Sequence, residues 1–193
     1  MFNINLLLLI IPAFIFKHAH LLLLENSEGV YVSKTEFNAL QSKVSALEAD
    51  ITKEKTTIAF VAELTTNIVN PTNNVHIIFD HSILNIGNNY TSRHGVFVAP
   101  IPGVYHFAVE ITAPPQSTTS HSLHVRIMKK NEAVAVTFVD GNTNYFLRRT
   151  ASTILQLNTG DDVWCQTESI GGSNTINGGN TYSMFSGFLI RAV

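Results

Sequence analysis

The stretch Val104-Tyr-His-Phe-Ala-Val-Glu-Ile111 alternates between two kinds of side chain. Every second residue, beginning with Tyr105, is large and apolar. The residues between them are smaller or polar and include His106 and Glu110. Because successive side chains of a β-strand point to opposite faces of a sheet, this pattern predicts a strand with one well-buried face.

Similar alternation recurs on both sides of this strand, in short runs separated by Asn, Gly and Pro. It predicts further strands at residues 57–63, 75–80, 95–99, 121–130, 133–139, 149–157, 162–167 and 182–191. The last run is apolar on both faces, with Phe188 on one and Phe185 on the other, so we expect a second sheet or a partner subunit to cover the second face. So many short strands favour an all-β sandwich or jelly roll.

The segment that precedes these strands has the pattern of a helix. Ser33 and Glu36 have the spacing of a capping box, which marks a helix start. Apolar residues follow at the a and d positions of a heptad: Phe37, Leu40, Val44, Leu47 and Ile51. Lys43 at a g position and Glu48 at the next e position carry opposite charges, which favours parallel identical chains. We predict a coiled coil over residues 33–55 that joins copies of the chain, with a helix packed on its own head as the alternative.

The N-terminal residues resemble a secretory leader. The apolar run 6–16 is shorter than the roughly 20 residues that a membrane span needs, and the small residue Ala19 follows it. We predict a signal peptide over residues 1–19, a linker over 20–32 and a secreted, extracellular protein without stable membrane insertion. No Lys or Arg precedes the run and a second apolar patch follows at 21–24, so a membrane-anchored form is the alternative.

Composition excludes several classes of function. The formal net charge is −2, charged residues make up 13% of the chain and no basic block occurs, so nucleic acid is not an expected partner. The chain lacks the Gly-x-Ser-x-Gly and His-Glu-x-x-His motifs, and we predict that it is not an enzyme. Cys165 is the single cysteine, which excludes an intrachain disulfide; its place in an alternating run favours a buried strand residue.

Several segments, in their order, resemble the globular head of the C1q family. They are IIFDHSILNIGNNY at 77–90, HGVF at 94–97, PGVYHF at 102–107 and SMFSGFLI at 183–190. The resemblance implies a C1q domain over residues 56–193: a two-sheet jelly roll of about ten strands, close in shape to tumour necrosis factor, that assembles as a homotrimer and serves in binding. No Gly-X-Y repeat is present, so recruitment of complement proteases through a collagen stalk is not implied.

A leader, a short coiled coil and one such head also resemble the secreted C1q-domain proteins of molluscs. This resemblance implies a trimer, or a larger assembly of trimers, that acts in innate immunity as a pattern-recognition or lectin-like binder of microbial surfaces or glycans. A cytokine-like receptor ligand and an extracellular structural or matrix component are the alternatives.

Calcium is the one cofactor that the family resemblance raises. Some members bind calcium through an Asp that matches Asp140, with a Gln seven positions later. The corresponding residue here is Leu147, which has no oxygen to offer a hard cation. A turn-forming Asp-Gly is therefore the alternative at Asp140.

The remaining candidate sites lie in loops, because sheet faces are occupied by packing. Asn174 and Asn177 belong to a glycine-rich connection over 171–180, where their amides would hydrogen-bond sugar hydroxyls, with Tyr145 or Tyr182 as an aromatic face; a plain flexible loop is the alternative. Asn89 begins the only N-glycosylation sequon, and we predict a glycan there.

Overall fold

A computed structural model describes residues 32–54, 56–116, 121–140 and 143–193. The predicted leader and almost all of the predicted linker lie outside the described residues. The described part of the chain contains helix α1 (Lys34–Glu54) and thirteen strands. The strands are β1 (Ala59–Glu63), β2 (Ile68–Val69), β3 (His76–Ile77), β4 (His81–Ile86), β5 (Tyr90–Thr91), β6 (Val96–Val98), β7 (Gly103–Ala113), β8 (Ser122–Lys129), β9 (Glu132–Phe138), β10 (Leu147–Leu157), β11 (Asp162–Gly171), β12 (Thr175–Ile176) and β13 (Met184–Ala192).

The strands form two antiparallel sheets and a small third one. The five-stranded sheet has the order β10-β7-β13-β1-β4, and the second sheet has the order β5-β6-β11-β8-β9 with β3 also paired to β11. Strands β12 and β2 form a separate pair. One hydrophobic core contains residues from both large sheets. The prediction of an all-β, two-sheet sandwich is confirmed.

Aromatic rings in this core connect the two sheets. Phe60 of β1 lies at the centre, with its ring centroid 4.6 Å from that of Tyr90, 5.3 Å from that of Phe97 and 5.0 Å from that of Phe185. Tyr90 and Phe97 belong to the six-stranded sheet, whereas Phe60 and Phe185 belong to the five-stranded one. The packing leaves no space on β13 at Gly187, where a Cβ atom would lie 2.5 Å from the ring of Phe107.

Strand β7 has the alternation that the sequence predicts. Tyr105, Phe107, Val109 and Ile111 are all 0% exposed, and the residues between them on the other face are partly exposed up to Glu110. The strand extends beyond the alternating stretch 104–111 at both ends, because it pairs along its length with β10 on one side and β13 on the other.

The single strand predicted over residues 75–80 is wrong. The chain instead forms β3, which pairs with β11, and then β4, which pairs with β1 in the other sheet. Asp80 stands at this crossing, where its carboxylate accepts hydrogen bonds from the backbone N–H and the hydroxyl of Thr65. The sequence of β4 does not show a clear alternation of apolar and polar residues. This edge strand pairs with β1 only and is mostly exposed, and a bulge at Val61/Ala62 shifts its register.

Helix α1 begins as its sequence predicts. The Ser33 hydroxyl accepts a hydrogen bond from the Glu36 backbone N–H at 3.2 Å, and the Glu36 carboxylate accepts one from the Ser33 backbone N–H at 2.9 Å. The Ser33 hydroxyl also donates to the Glu36 carboxylate at 2.8 Å, and this bond, together with the one from the Ser33 N–H, lowers the pKa of Glu36. The capping box is therefore confirmed. In the single chain the five heptad side chains are 45% to 61% exposed: Phe37, Leu40, Val44, Leu47 and Ile51.

Candidate functional site

The outer face of the five-stranded sheet has a continuous row of largely apolar side chains. Ile154 of β10 lies opposite His106 of β7, which lies opposite Phe188 of β13. Phe188 in turn lies opposite Ala59 of β1, and Ala59 lies opposite Ile86 of β4. We call these five residues the apolar row. Ile154 is 63% exposed, Phe188 47% and Ile86 42%.

Small residues and then charged pairs flank the apolar row. Two positions further along β10, β7 and β13 lie Ser152, Ala108 and Ser186, which have short side chains. Further along, Arg148 forms an ion pair with Glu110, and His81 Nδ1 lies 2.8 Å from Glu63 Oε1. An exposed apolar centre with a charged border is the anatomy of a protein–protein interface.

A groove of about 540 Å³ lies on the outer side of the six-stranded sheet. We call it the Trp164 groove. It is lined by His76, Val96, Lys130, Asn131, Asp162 and Trp164. The rings of His76 and Trp164 lie 4.6 Å apart. Burial lowers the pKa of His76, against an opposing contact with the Gly95 backbone, so the imidazole is uncharged at neutral pH.

The two aspartates beside this groove have different surroundings. Asp161 is 4% exposed, and its carboxylate lies 2.7 Å from Lys130 Nζ and accepts a hydrogen bond from the Asn158 backbone N–H. These contacts lower the pKa of Asp161 and raise that of Lys130. The Asp162 carboxylate, in contrast, has no hydrogen bond or ion pair within the described ranges.

The proposed calcium ligand Asp140 already has two protein partners. Its Oδ1 accepts a hydrogen bond from the Leu123 backbone N–H at 3.2 Å, and its Oδ2 lies 2.9 Å from His124 Nε2. Among the described residues, which leave out 141 and 142 beside it, no group of three or more His, Cys, Asp and Glu side chains is placed to hold a metal ion. Calcium at Asp140 stays a prediction.

The predicted ligand-binding residue Asn174 is buried in the single chain. Asn174 is 1% exposed, and its Nδ2 donates hydrogen bonds to the backbone oxygens of Ser122 at 3.0 Å and Gly171 at 2.7 Å. The amide N–H groups are thus used by backbone carbonyls of β8 and β11, and contact of Asn174 with a sugar stays a prediction. Asn177 is half-buried, and its backbone N–H donates to Thr112 O at 2.8 Å.

The two tyrosines proposed as aromatic faces are exposed but lie in different surroundings. Tyr182 is 39% exposed and stacks on Phe146, with 6.1 Å between ring centroids. Tyr145 is 76% exposed. The sequence pattern did not single out Phe146, because its partner is 36 positions away along the chain. Ligand binding at Tyr145 and Tyr182 stays a prediction.

Comparison with known proteins identifies the family. The family model for the C1q domain matches residues 59–190. The chain belongs to the C1q domain family. One of the subunits of the human complement C1q subcomponent is 35% identical over 136 residues, which are 69% of this chain and 50% of that protein. Mouse complement C1q tumor necrosis factor-related protein 2 is 32% identical over 123 residues, which are 63% of this chain and 40% of that protein. The C1q-domain chain thus spans half or less of the length of these relatives.

Solved structures confirm the jelly-roll fold of the C1q domain. The Eiger TNF of S. frugiperda matches with a TM-score of 0.53 and 13% identity, over 72% of this chain and 96% of that one. Murine APRIL at pH 5.0 matches with a TM-score of 0.52 and 9% identity, over 70% of this chain and 100% of that one. At such identities the likeness shows the fold alone.

The structure also gives the surroundings of the single cysteine and of the predicted glycosylation site. Cys165 is 0% exposed, as its strand pattern indicates, and burial raises the pKa of its thiol, which makes it unreactive. Asn89 is half-buried between β4 and β5, and its backbone oxygen accepts a hydrogen bond from Val98 N at 2.9 Å. A glycan on Asn89 stays a prediction.

Within the ranges that the structure covers, no helix has the length and apolarity that a membrane crossing requires.

Replacing Gly178 by alanine should destabilise the C1q domain by about 1–3 kcal/mol, the usual cost of overpacking. A Cβ atom there would lie 2.4 Å from the backbone oxygen of Thr66, which cannot move aside as a side chain could. Gly160→Ala is not a suitable control because its φ is +85°. Ser173→Ala, at an exposed position of the same connection, should change stability by less than about 1 kcal/mol. Urea unfolding measures both, and equal stabilities would mean that the connection is loose.

Proposed function

We propose that this chain is a non-enzymatic extracellular recognition protein that acts as a homotrimer and binds microbial surface or glycan ligands in the manner of a lectin. The observation that carries the self-association is the apolar row on the outer face of the five-stranded sheet, and binding of repetitive ligands depends on that self-association. The role in innate immunity follows the resemblance of the whole chain to secreted C1q-domain proteins.

The apolar row needs a cover that the single chain does not supply. Full burial of a Phe or Ile side chain contributes roughly 1.5–3 kcal/mol relative to exposure, and Phe188 and Ile154 are about half exposed or more. The row crosses all five strands, so one flat surface of a second copy can bury it. The charged pairs at Glu110 and Glu63 then form the border of the contact.

The heptad seam of α1 supports the same assembly. Its five side chains form one stripe and are exposed in the single chain. The seam has only two to three heptads, so α1 alone is marginal as a helix and as an oligomer. We therefore assign it a supporting role: it holds together the N-terminal ends of copies that the C1q domains already associate.

A trimer makes weak binding sites sufficient. Three heads in one particle present three copies of every site, and linked sites can bind a multivalent surface roughly 10²- to 10⁴-fold more tightly than one site does. Microbial surfaces and glycan chains are repetitive ligands of this kind. Recognition by shallow, open sites such as the Trp164 groove then becomes effective.

Binding of the purified full-length secreted protein to microbial cells and to a glycan array tests the proposal. We expect binding that the double variant Leu40→Asp, Leu47→Asp weakens by roughly tenfold or more, because repulsion at the seam reduces avidity. The control is Ser42→Asp, Ala49→Asp, which adds the same charges on the helix face away from the seam and should bind normally.

Other outcomes would overturn the proposed function. Saturable, protease-sensitive binding to host cells without binding to microbes or glycans would identify a receptor ligand of the cytokine type. Incorporation into an insoluble extracellular matrix without any soluble ligand would identify a structural component.

A further inference from the structure

We propose that the Trp164 groove binds a neutral pyranose sugar. This inference rests on the function proposed above and names the site and the ligand class through which it would act. Three features carry it: an aromatic floor, hydrogen-bonding side chains without protein partners among the described residues, and a balanced local charge.

Trp164 supplies the floor of the groove. It lies in the middle of the six-stranded sheet, opposite Val96 of β6 and Met128 of β8, and it is partly exposed. The His76 ring packs against it at 4.6 Å and fixes its position. An indole held in this way offers a rigid apolar surface to the C–H face of a sugar ring.

Asp162 and Asn131 supply hydrogen-bonding groups at the edge. Neither side chain has a hydrogen bond or ion pair to another residue in the part of the chain that the structure describes, so both are available to a ligand. An ionised carboxylate accepts hydrogen bonds from neighbouring hydroxyls, and an amide both donates and accepts. The adjacent Asp161, already bound to Lys130 and Asn158, is not available in this way.

The charges around the groove favour a ligand without net charge. Lys130 and Lys129 lie 2.7 Å and 3.7 Å from the Asp161 carboxylate, so two ammonium groups offset the charges of Asp161 and Asp162. An anionic sugar would meet the Asp162 carboxylate, and a cationic ligand would meet the two ammonium groups. His76 is uncharged at neutral pH because burial lowers its pKa. A neutral ligand with several hydroxyl groups can satisfy both the acceptor at Asp162 and the donor at Lys130.

The backbone at the edge of the groove is held in an unfavourable conformation. Lys130 and Asn131 form the two-residue loop between β8 and β9, and Lys130 has a φ of 54°. Glycine adopts this left-handed region freely, whereas a side chain there carries a steric cost. The Lys130 side chain forms the ion pair with Asp161, which holds its ammonium group beside the groove.

Fluorescence of Trp164 gives a direct test, because it is the only tryptophan in the chain. The full-length protein is titrated with the methyl glycosides of mannose, galactose and N-acetylglucosamine, with glucuronic acid and choline as charged comparisons. We expect a saturable change with at least one neutral sugar at millimolar concentration and none with the charged probes.

Variants connect the signal to the groove. Asp162→Asn should weaken binding roughly ten- to a hundredfold, since a hydrogen bond to a charged group is lost. Asp50→Asn, the same change at an exposed position of α1, is the matched control and should bind normally. Lys130→Gly should weaken binding. Because this change also removes the ion pair with Asp161, circular dichroism must show the variant folded at the temperature of the titration.

The outcomes separate this inference from the function on which it rests. If neutral glycans bind the protein but Trp164 fluorescence and Asp162→Asn show no effect, the groove is the wrong site and the recognition function stands. If no neutral sugar binds at millimolar concentration, or a charged probe binds instead, the inference is overturned. Failure of the protein to bind any microbe or glycan would overturn the proposed function as well.

Discussion

Replacing Phe60 by alanine is expected to lower the free energy of unfolding of the C1q domain by about 3–5 kcal/mol. The ring is 1% exposed and contacts Tyr90 and Phe97 across the sandwich as well as Phe185 beside it. Its loss removes buried apolar surface and leaves a cavity at the contact between the two sheets. Since domains of this kind have a total stability of roughly 5–15 kcal/mol, much of the margin would disappear.

Urea unfolding followed by circular dichroism measures this effect. Tyr145→Ala is the control, because Tyr145 is 76% exposed and its loss should change stability by less than about 1 kcal/mol. Similar losses in the two variants would show that the aromatic cluster around Phe60 does not hold the sheets together.

Placing aspartate at both Phe188 and Ile154 is expected to convert the trimer into monomers at micromolar chain concentration. Both side chains belong to the apolar row, so the trimer would have to bury two unpaired carboxylates in each subunit. An uncompensated buried charge costs about 3–5 kcal/mol, which is several powers of ten in the association constant. The exposed location of both residues in the single chain means that each domain should still fold.

Light scattering and circular dichroism together test this expectation. Val69→Asp adds a charge at a residue that is 65% exposed and lies outside the apolar row, so it should leave the mass unchanged. If the Phe188 and Ile154 variant keeps the mass of wild type and its strand signal, the assembly face lies elsewhere.

The features that the sequence predicted correctly depend on local pattern. The alternation around Tyr105 is visible because β7 is a central strand with a strictly buried face. The cap at Ser33 is visible because the hydrogen-bonding residues are three positions apart. The apolar second face of β13 is visible for the same reason, since Phe185 is buried and Phe188 is half-exposed as their alternation indicates.

The features that it missed depend on contacts between distant segments. The Trp164 groove joins residues of β3, β6, the β8–β9 loop and β11, and nothing local marks His76 as a neighbour of Trp164. Asn174 lies in a segment whose composition is typical of a ligand-binding loop. Its amide nevertheless donates to the backbone oxygen of Ser122, which is 52 positions away in the sequence. A pattern of residue types cannot show which amides a fold uses for its own backbone.

Sedimentation equilibrium of the purified protein at several chain concentrations tests the trimeric assembly most directly. We expect a single species with three times the mass of the purified chain, retained on dilution to micromolar concentration. A species with the mass of one chain throughout that range would contradict the assignment of the apolar row and the heptad seam to self-association, and with it the avidity on which the proposed recognition function depends.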